Sequence, residues 1–510
     1  ITFNTNNLSK VGDKSVLTYE VTNNSNNYDA EVRVTCTPEN NKYTSITNTL
    51  DVENDIVPAR NTAKGRVTIT LNKTSLEEVS EEYTCKLEFN AVERKEVGIE
   101  KVYTEKLLNG TNPVLSDNLI PVTIKDNGEV TYADITKEWY SYEDKVWANA
   151  VILEDGTSYN VGDTIKESDI QSYFVWIPRY KYKLFNVDNY GLTTVASAAE
   201  VESKAQEIEI EFENKDTTIS NGTTNGAWLT HPAFTSFDTN GIWVGKFETG
   251  YKGATSASAA QVNSSDSSRV IIKPNTYSWR GINVKNIFET SYNYQRNLDS
   301  HMMKNTEWGA VAYLSHSKYG IDKEVNINNN SSYKTGHSSL PTLDQSSYPG
   351  TSGDGENYNQ PYNTSIGYLA STTGNISGIY DMSGGAWEYM ASYINGNVGS
   401  SGFTSTTIVN YDAKYFDVYN ESSEISTYQY RILGDATSEM GPFFKYYDGD
   451  NRLRNHSNWY GNLSFFIGTS YPFFARSGNF DDNILASQFY FCRNTGSIYS
   501  YISFRIVLSP

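Results

Sequence analysis

SYPFFARSG (470–478) and SFRIVL (503–508), with SNWYGN (457–462) and NTGSIYS (494–500) between and before them, are the stretches on which the fold turns. From Tyr446 to Pro510 the chain holds no Lys, no Glu and no Met. Aromatic, Arg and Gly anchors recur there, and Asn, Tyr, Ser, Asp, Phe and Ile fill the gaps without period. That pattern points to a rigid scaffold displaying a changeable surface. Tyr, Ser, Gly and Asn also dominate antibody paratopes, where Tyr gives large contact area at low entropy cost.

Moving outward, the composition narrows the class. A chain of 510 residues is long enough for about two to four domains with real cores. The net charge of −19, with no Lys/Arg stripe, argues against a nucleic-acid partner. With 39 Tyr and loops crowded with Asn, Ser and Thr, the chain reads as an extracellular, β- and loop-rich protein. It has no apolar run of about 18 residues, the length a membrane-spanning helix needs. It carries no signal peptide and opens on the strand-like ITFNT (1–5). The expectation is a mature or trimmed form from which an export or anchoring segment is missing.

Residues 1–105 read as one all-β domain, a spacer or stalk. SVLTYEVTNNSNNYDAEVRVTC (15–36), GRVTITLNKT (65–74) and EYTCKLEFNAV (82–92) alternate as strands do. Cys36 and Cys85 are the disulfide candidate, with two buried free thiols as the alternative. Tyr83 stands two residues before Cys85, as in a tyrosine corner, but the strand Trp of immunoglobulin domains is absent, so the reading is Ig-like only. Residues 106–140, rich in Pro, Gly, Asn and Asp, are expected to be a connector and hairpin. A large domain follows over 141–510. One helix is expected after Asn305, with Thr306 as cap, Glu307 in the first turn, and Trp308, Val311, Ala312 and Ser315 on one face. A weaker one is expected over 285–299. The loop-like 320–372 is long enough to be functional or structurally pinned.

Seven segments then occur in a telling order: FVWIPRY (174–180), THPAF (230–234), GIWVGKFETG (241–250), MMKNTEWGAVAYL (302–314), GIYDMSGGAWEYM (378–390), ARSGNF (475–480) and SFRIVL (503–508). In this order they resemble the formylglycine-generating-enzyme-like domain, a branch of the C-type lectin fold, over roughly 170–510. The resemblance implies an α+β, loop-rich C-type-lectin-fold domain behind the all-β Ig-like one. Its nearest subgroup is the variable proteins of diversity-generating retroelements, found on bacterial surfaces and in phage tail fibres. Their C-terminal segment is rewritten by adenine-directed mutagenesis, largely at AAY codons. The NNY codons that result cannot encode Lys, Glu, Gln, Met or Trp, in keeping with the depletion over 446–510; Trp459 and Gln488 are then framework.

The resemblance implies a variable region of about 456–502. The candidates for its ligand-binding face are Tyr460, Asn462, Leu463, Phe465, Ile467, Asn479, Phe480, Asp481, Asp482, Asn483, Phe491, Cys492, Ile498, Tyr499 and Tyr501. Trp459, Pro472, Arg476, Gly478, Gly496, Phe504 and Arg505 are the scaffold candidates. The partner expected is a protein or glycan on another cell, phage or host surface. The family's oxidases need an active-site cysteine pair to hold copper, whereas this domain has Cys492 alone. No catalytic residue is assigned, and the expectation is a binding protein and not an enzyme. The calcium-binding triplets of sugar-binding lectins are missing too; Gln360-Pro361-Tyr362 lacks the carboxylate. Asp448 and Asp450, in Asp-Gly-Asp-Asn, are the candidate calcium ligands, a tight turn being the competing reading. None of the five His residues has zinc-hydrolase spacing. Glu388 is expected to pair with a framework Arg rather than act as a catalytic acid.

Overall fold

A computed structural model describes residues 8–510 apart from 24, 26–27, 53–54, 58–60, 94–111, 186–192, 195–206, 340–358, 421–431, 438–443, 448–452, 457–464 and 483–485. Strand and loop predominate, with few helices. The chain divides into two compact units, Ile1–Lys101 and Val102–Pro510.

The first unit is two three-stranded antiparallel sheets. Lys14–Thr22, Thr62–Leu71 and Thr44–Leu50 form one, with Thr62–Leu71 in the middle; Ile56–Val57, Tyr28–Thr37 and Thr84–Glu93 form the other, with Tyr28–Thr37 in the middle. Alternation sends every second side chain inward. The small core between the sheets joins Val21 and Ala63 of the first to Val32 and Val57 of the second. The Tyr83 hydroxyl donates to the Thr44 carbonyl at 2.7 Å and accepts from the Asn41 N–H at 3.1 Å. It thus ties the strand entering one sheet to the strand entering the other, a long-range bond and not the local one of a tyrosine corner. Cys36 and Cys85 are bonded as a disulfide and face each other on adjacent strands of one sheet.

In the second unit the largest sheet is antiparallel and eight-stranded, in the order Thr164–Ile165, Val130–Tyr132, Ile120–Ile124, Asn149–Leu153, Ile170–Pro178, Gly241–Gly245, Ile506–Leu508 and His301–Met302. Ile170–Pro178 is buried almost throughout, and from Tyr173 onward it reads as a continuous apolar run rather than an alternating one. Trp176 lies opposite Trp243, with ring centroids 5.3 Å apart. Gly241 is required beside them, because a Cβ there would come within 2.3 Å of the Trp176 ring. One expectation is corrected here. The hairpin of 106–140 is no connector: Ile120–Ile124 and Val130–Tyr132 are strands of this sheet, with Val122, Val130 and Leu119 in its core. Ile506–Leu508 lies inside the sheet, one place from its edge.

The expected helix is Asn305–Ser315, and all of its residues are buried, not one face alone. Its cap differs from the expectation. Lys304 is the N-cap residue, the Glu307 carboxylate accepts the Lys304 N–H at 2.8 Å, and Asp417 accepts the Thr306 N–H at 2.7 Å. Thr306 is thus inside the first turn, and one local carboxylate, Glu307, and one tertiary carboxylate, Asp417, take the role expected of its side chain. The weaker helix is Val284–Tyr294, capped by Asn283, with a 3-10 turn at Arg296–Leu298.

A second sheet carries the C-terminal segment. Asp417–Tyr419, Trp387–Ile394, Phe473–Ser477 and Ser487–Asn494 lie in that order, and Ile502–Ser503 pairs with Trp387–Glu388. The chain then crosses within a few residues to the eight-stranded sheet as Ile506–Leu508. Around that crossing the quoted motifs converge. Arg505 donates to both Glu388 oxygens, to the Gly245 carbonyl at 2.8 Å and to the Tyr380 carbonyl at 3.0 Å. Asp381 accepts from Asn328 and from the Gly336 and Glu248 N–H groups. Glu248 accepts from the Ala386 N–H at 2.8 Å and meets the Ser278 hydroxyl. Gly385 has φ +72°, and a Cβ there would reach within 2.4 Å of Glu248. Burial, opposed by Arg505, pushes the Glu388 carboxyl up to about 7.

Candidate ligand-binding face

The candidate face is built on two antiparallel strands, Phe473–Ser477 and Ser487–Asn494, and the loop that follows them. Ala475 pairs with Cys492 and Phe473 with Asn494; Arg476 pairs with Phe491 and Phe474 with Arg493. Alternation therefore puts Cys492 and Asn494 on one face, Phe491 and Arg493 on the other.

The loop after Asn494 is held from beneath. The Tyr389 hydroxyl meets the Asn494 side chain at 2.7 Å and the Ser497 carbonyl at 2.9 Å. The Gly281 N–H donates to the Tyr499 carbonyl at 2.9 Å, the Trp387 N–H donates to the Tyr501 carbonyl at 3.0 Å, and Arg280 donates to the Ser500 carbonyl. Gly496 has φ +80°, and a Cβ there would press on Phe473 and Ser401 at 2.8 Å. With the backbone fixed, the side chains are what vary in exposure. Ile498 is 50% exposed, Tyr499 and Tyr501 are half-buried, and the two tyrosine rings are 5.4 Å apart.

Asn479–Asp482 forms a self-braced turn beside this loop. Asp482 accepts the Asn479 N–H at 2.7 Å, Asn479 accepts the Asp481 N–H at 2.9 Å, and the Phe480 N–H donates to the Gly385 carbonyl at 2.9 Å. Phe480 sits edge-on to Tyr333, and Trp387 edge-on to Tyr490 at 4.5 Å. Burial pushes the Asp482 carboxyl up against the opposing pull of the Asn479 N–H and the Trp387 indole. Burial likewise pushes the Cys492 thiol and the Tyr490 and Tyr501 hydroxyls up. Protonated hydroxyls and a protonated thiol suit hydrogen bonding, and a raised thiol is a poor nucleophile.

The structure places Tyr499, Cys492 and Asp482 within the electrostatic surroundings of Tyr501, with Asn479, Phe480, Asp481 and Ile498 flanking them in sequence. It separates others. Ile467 and Phe491 are 2% and 1% exposed and belong to the core, Phe491 packing on Phe474 and beneath the Arg476 guanidinium. Phe465 is exposed but lies with Tyr471 under the Arg493 guanidinium, on the side opposite Cys492. Tyr460, Asn462, Leu463, Asn483, the anchor Trp459 and the calcium candidates Asp448 and Asp450 lie outside the described residues. Among the described residues no group of three His, Cys, Asp or Glu side chains is placed to hold a metal.

The scaffold candidates Pro472, Arg476, Gly478, Gly496, Phe504 and Arg505 are all buried. Arg476 donates to Asn305 at 2.7 Å and to the Asp435 carbonyl, joining the strand to the buried helix. The sequence reading passes over Tyr490, Trp387 and Tyr333. Period-two spacing from Cys492 reaches Tyr490; no local signal reaches Tyr333, which arrives from the 320–372 stretch.

No protein-family model matches the chain, and a search of curated proteins finds no match. No helix among the described residues is long and apolar enough to cross a membrane.

Proposed function

We propose that the protein is a surface-displayed ligand-binding protein, an adhesin or receptor-binding protein. In this reading Val102–Pro510 is a C-type-lectin-fold domain of the formylglycine-generating-enzyme-like kind, and its C-terminal loops are a diversifiable binding face. The observation that carries the reading is the contrast in the 494–501 loop: its backbone is gripped by Tyr389, Arg280, Gly281 and Trp387, while Ile498, Tyr499 and Tyr501 are left partly open. Rigid backbone with half-open tyrosines is the economy of a paratope, where ordering costs are met before binding. Its mechanism is recognition of a protein or glycan, without turnover. The Cys36–Cys85 disulfide favours an oxidising, extracellular setting.

The diversification half has its own test. A near-identical copy of the DNA encoding 456–502, differing at adenines and lying beside a reverse-transcriptase gene, is the expected finding. A locus with neither removes retroelement variation from the proposal. For the binding half, glycan arrays and panels of intact bacteria and phage are probed with the parent chain and with Tyr499→Ala/Tyr501→Ala. A ligand bound equally by both chains defeats it. A phage tail-fibre receptor-binding protein uses the same face, and virion proteomics separates it from a cell-surface protein.

A further inference from the structure

Thr84–Glu93 is an edge strand: it pairs with Tyr28–Thr37, and among the described residues no strand lies on its other side. Natural proteins blunt such edges, because unpaired backbone groups are a template for another strand. This one is ten residues long. Val32, a core residue, lies directly opposite Phe89, and Val34 opposite Leu87, so all four side chains share the inward face. Phe89 is nevertheless 57% exposed and Leu87 39%. The facing sheet covers the inner strand and leaves the edge strand bare.

The free backbone groups can be assigned. Cys36 and Cys85 are direct partners with Cα atoms 4.0 Å apart, the spacing of a non-hydrogen-bonded pair and not the ~5.5 Å of a bonded one. Cys85, and by alternation Leu87 and Phe89, therefore aim their N–H and C=O groups at the open edge. A second copy of the strand, added antiparallel, bonds through these residues. Centring the twofold on Lys86 sets Lys86 against Lys86, and centring it on Glu88 sets Glu88 against Glu88. Centring it on Leu87 sets each Lys86 against Glu88 of the other copy. Those charges then occupy the closely spaced, non-hydrogen-bonded positions. On the inward face the same register sets Leu87 against Leu87 and Phe89 against Cys85.

We propose that the first unit associates with a second copy of this chain through antiparallel pairing of Thr84–Asn90, in the register centred on Leu87. Apolar then meets apolar and cation meets anion, while the adjacent registers set like charges together. Pairing joins two three-stranded sheets into one of six and shields Leu87 and Phe89.

Sedimentation equilibrium of the full chain with its disulfide intact tests this, at concentrations up to about 0.5 mM because a small interface is weak. The charge variants suit it, since the Lys86 and Glu88 side chains are 72% and 45% exposed and their exchange leaves the core alone. A reversible monomer–dimer equilibrium is expected. Lys86→Glu sets Glu against Glu twice and should raise the dimer dissociation constant by ~10-fold or more. Lys86→Glu with Glu88→Lys restores opposite charges and should return it to near the parent value. A monomer at every concentration overturns the proposal. So does a dimer indifferent to Lys86→Glu, or one that the double exchange fails to restore.

Discussion

Arg505 and Glu388 form a two-pronged ion pair with both side chains wholly buried, the Arg505 Nε lying 3.1 Å from Glu388 Oε2. Arg505 stands between the two sheets that Ile502–Leu508 links, and its remaining donors reach backbone carbonyls beside the Gly241–Gly245 strand and the Asp381 turn. The pair is a structural clamp, as the sequence reading expects of Glu388.

Removing one member leaves the other buried without its partner. Glu388→Ala should cost about 3–5 kcal/mol, and Arg505→Lys, which loses the fork, should fall between that and the parent. Denaturant unfolding followed by tryptophan fluorescence measures both. A Glu388→Ala protein as stable as the parent would show that the clamp is dispensable.

Glu248 should be a neutral acid in the native protein. Burial, with Asp381 and Glu388 beside it, holds its carboxyl well above the usual range. The Ser278 hydroxyl has one proton; given to the Tyr333 carbonyl at 3.2 Å, it leaves Ser278 free to accept from protonated Glu248. The unfolded chain loses such protons near the ordinary value of 4.5, and Glu388 in the native state loses its own at about 7. The native state binds more protons in that window, so these groups lose stability as pH rises through it. Buried His231 and His316, lowered to about 3, act oppositely: below their ordinary 6.5 the unfolded chain takes up more protons, and stability falls as pH falls. Glu248→Gln keeps an acceptor for Ala386 and a donor for Ser278 without the titration. It should gain stability relative to the parent at about pH 8 and little at about pH 5. An equal loss at both would mean that the ionised carboxylate is the native form.

Tyr499→Ala/Tyr501→Ala should move stability by less than ~1 kcal/mol and, if either is a hot spot, weaken ligand binding by ~2 kcal/mol or more. Arg476→Ala should do the reverse and harm folding first, because its guanidinium is buried and joins Asn305 to Asp435. Thermal melts and a binding isotherm on the same preparations separate the two. A stable Arg476→Ala alongside an unfolded tyrosine double variant would mean that scaffold and face have been exchanged.

The boundary gives a simple expression test. A fragment beginning at Val102 keeps the Ile120–Ile124/Val130–Tyr132 hairpin and should fold. One beginning at Ser141 removes it, baring Asn149–Leu153 along one edge, and should aggregate or lose cooperativity. Size-exclusion profiles and melting curves of both decide; two equally well-behaved fragments would restore the connector reading.

Much of this was legible where local chemistry and tertiary need agree. The Asn305–Ser315 helix has its acidic first turn, and Glu388 finds the framework arginine expected of it in Arg505. The sheet of the 120–132 hairpin is not legible, because Asp126-Asn127-Gly128 identifies a turn without saying which sheet its strands join. Ile467 and Phe491 lie in the core and not on the face, because Ile and Phe serve a core as readily as a contact surface. Only pairing across to Arg476 reveals that Phe491 points inward. The Tyr333 contribution comes from a distant stretch, and no periodicity within 479–482 can summon it.

The link formed by Ile502–Leu508 bears on translation. One short segment supplies a strand to each of two sheets and the arginine between them. A ribosome that stops early, anywhere in 456–502, releases a chain lacking all three. Such a product should be cleared as unfolded polypeptide, so no truncated copy should persist with one sheet complete and the other open.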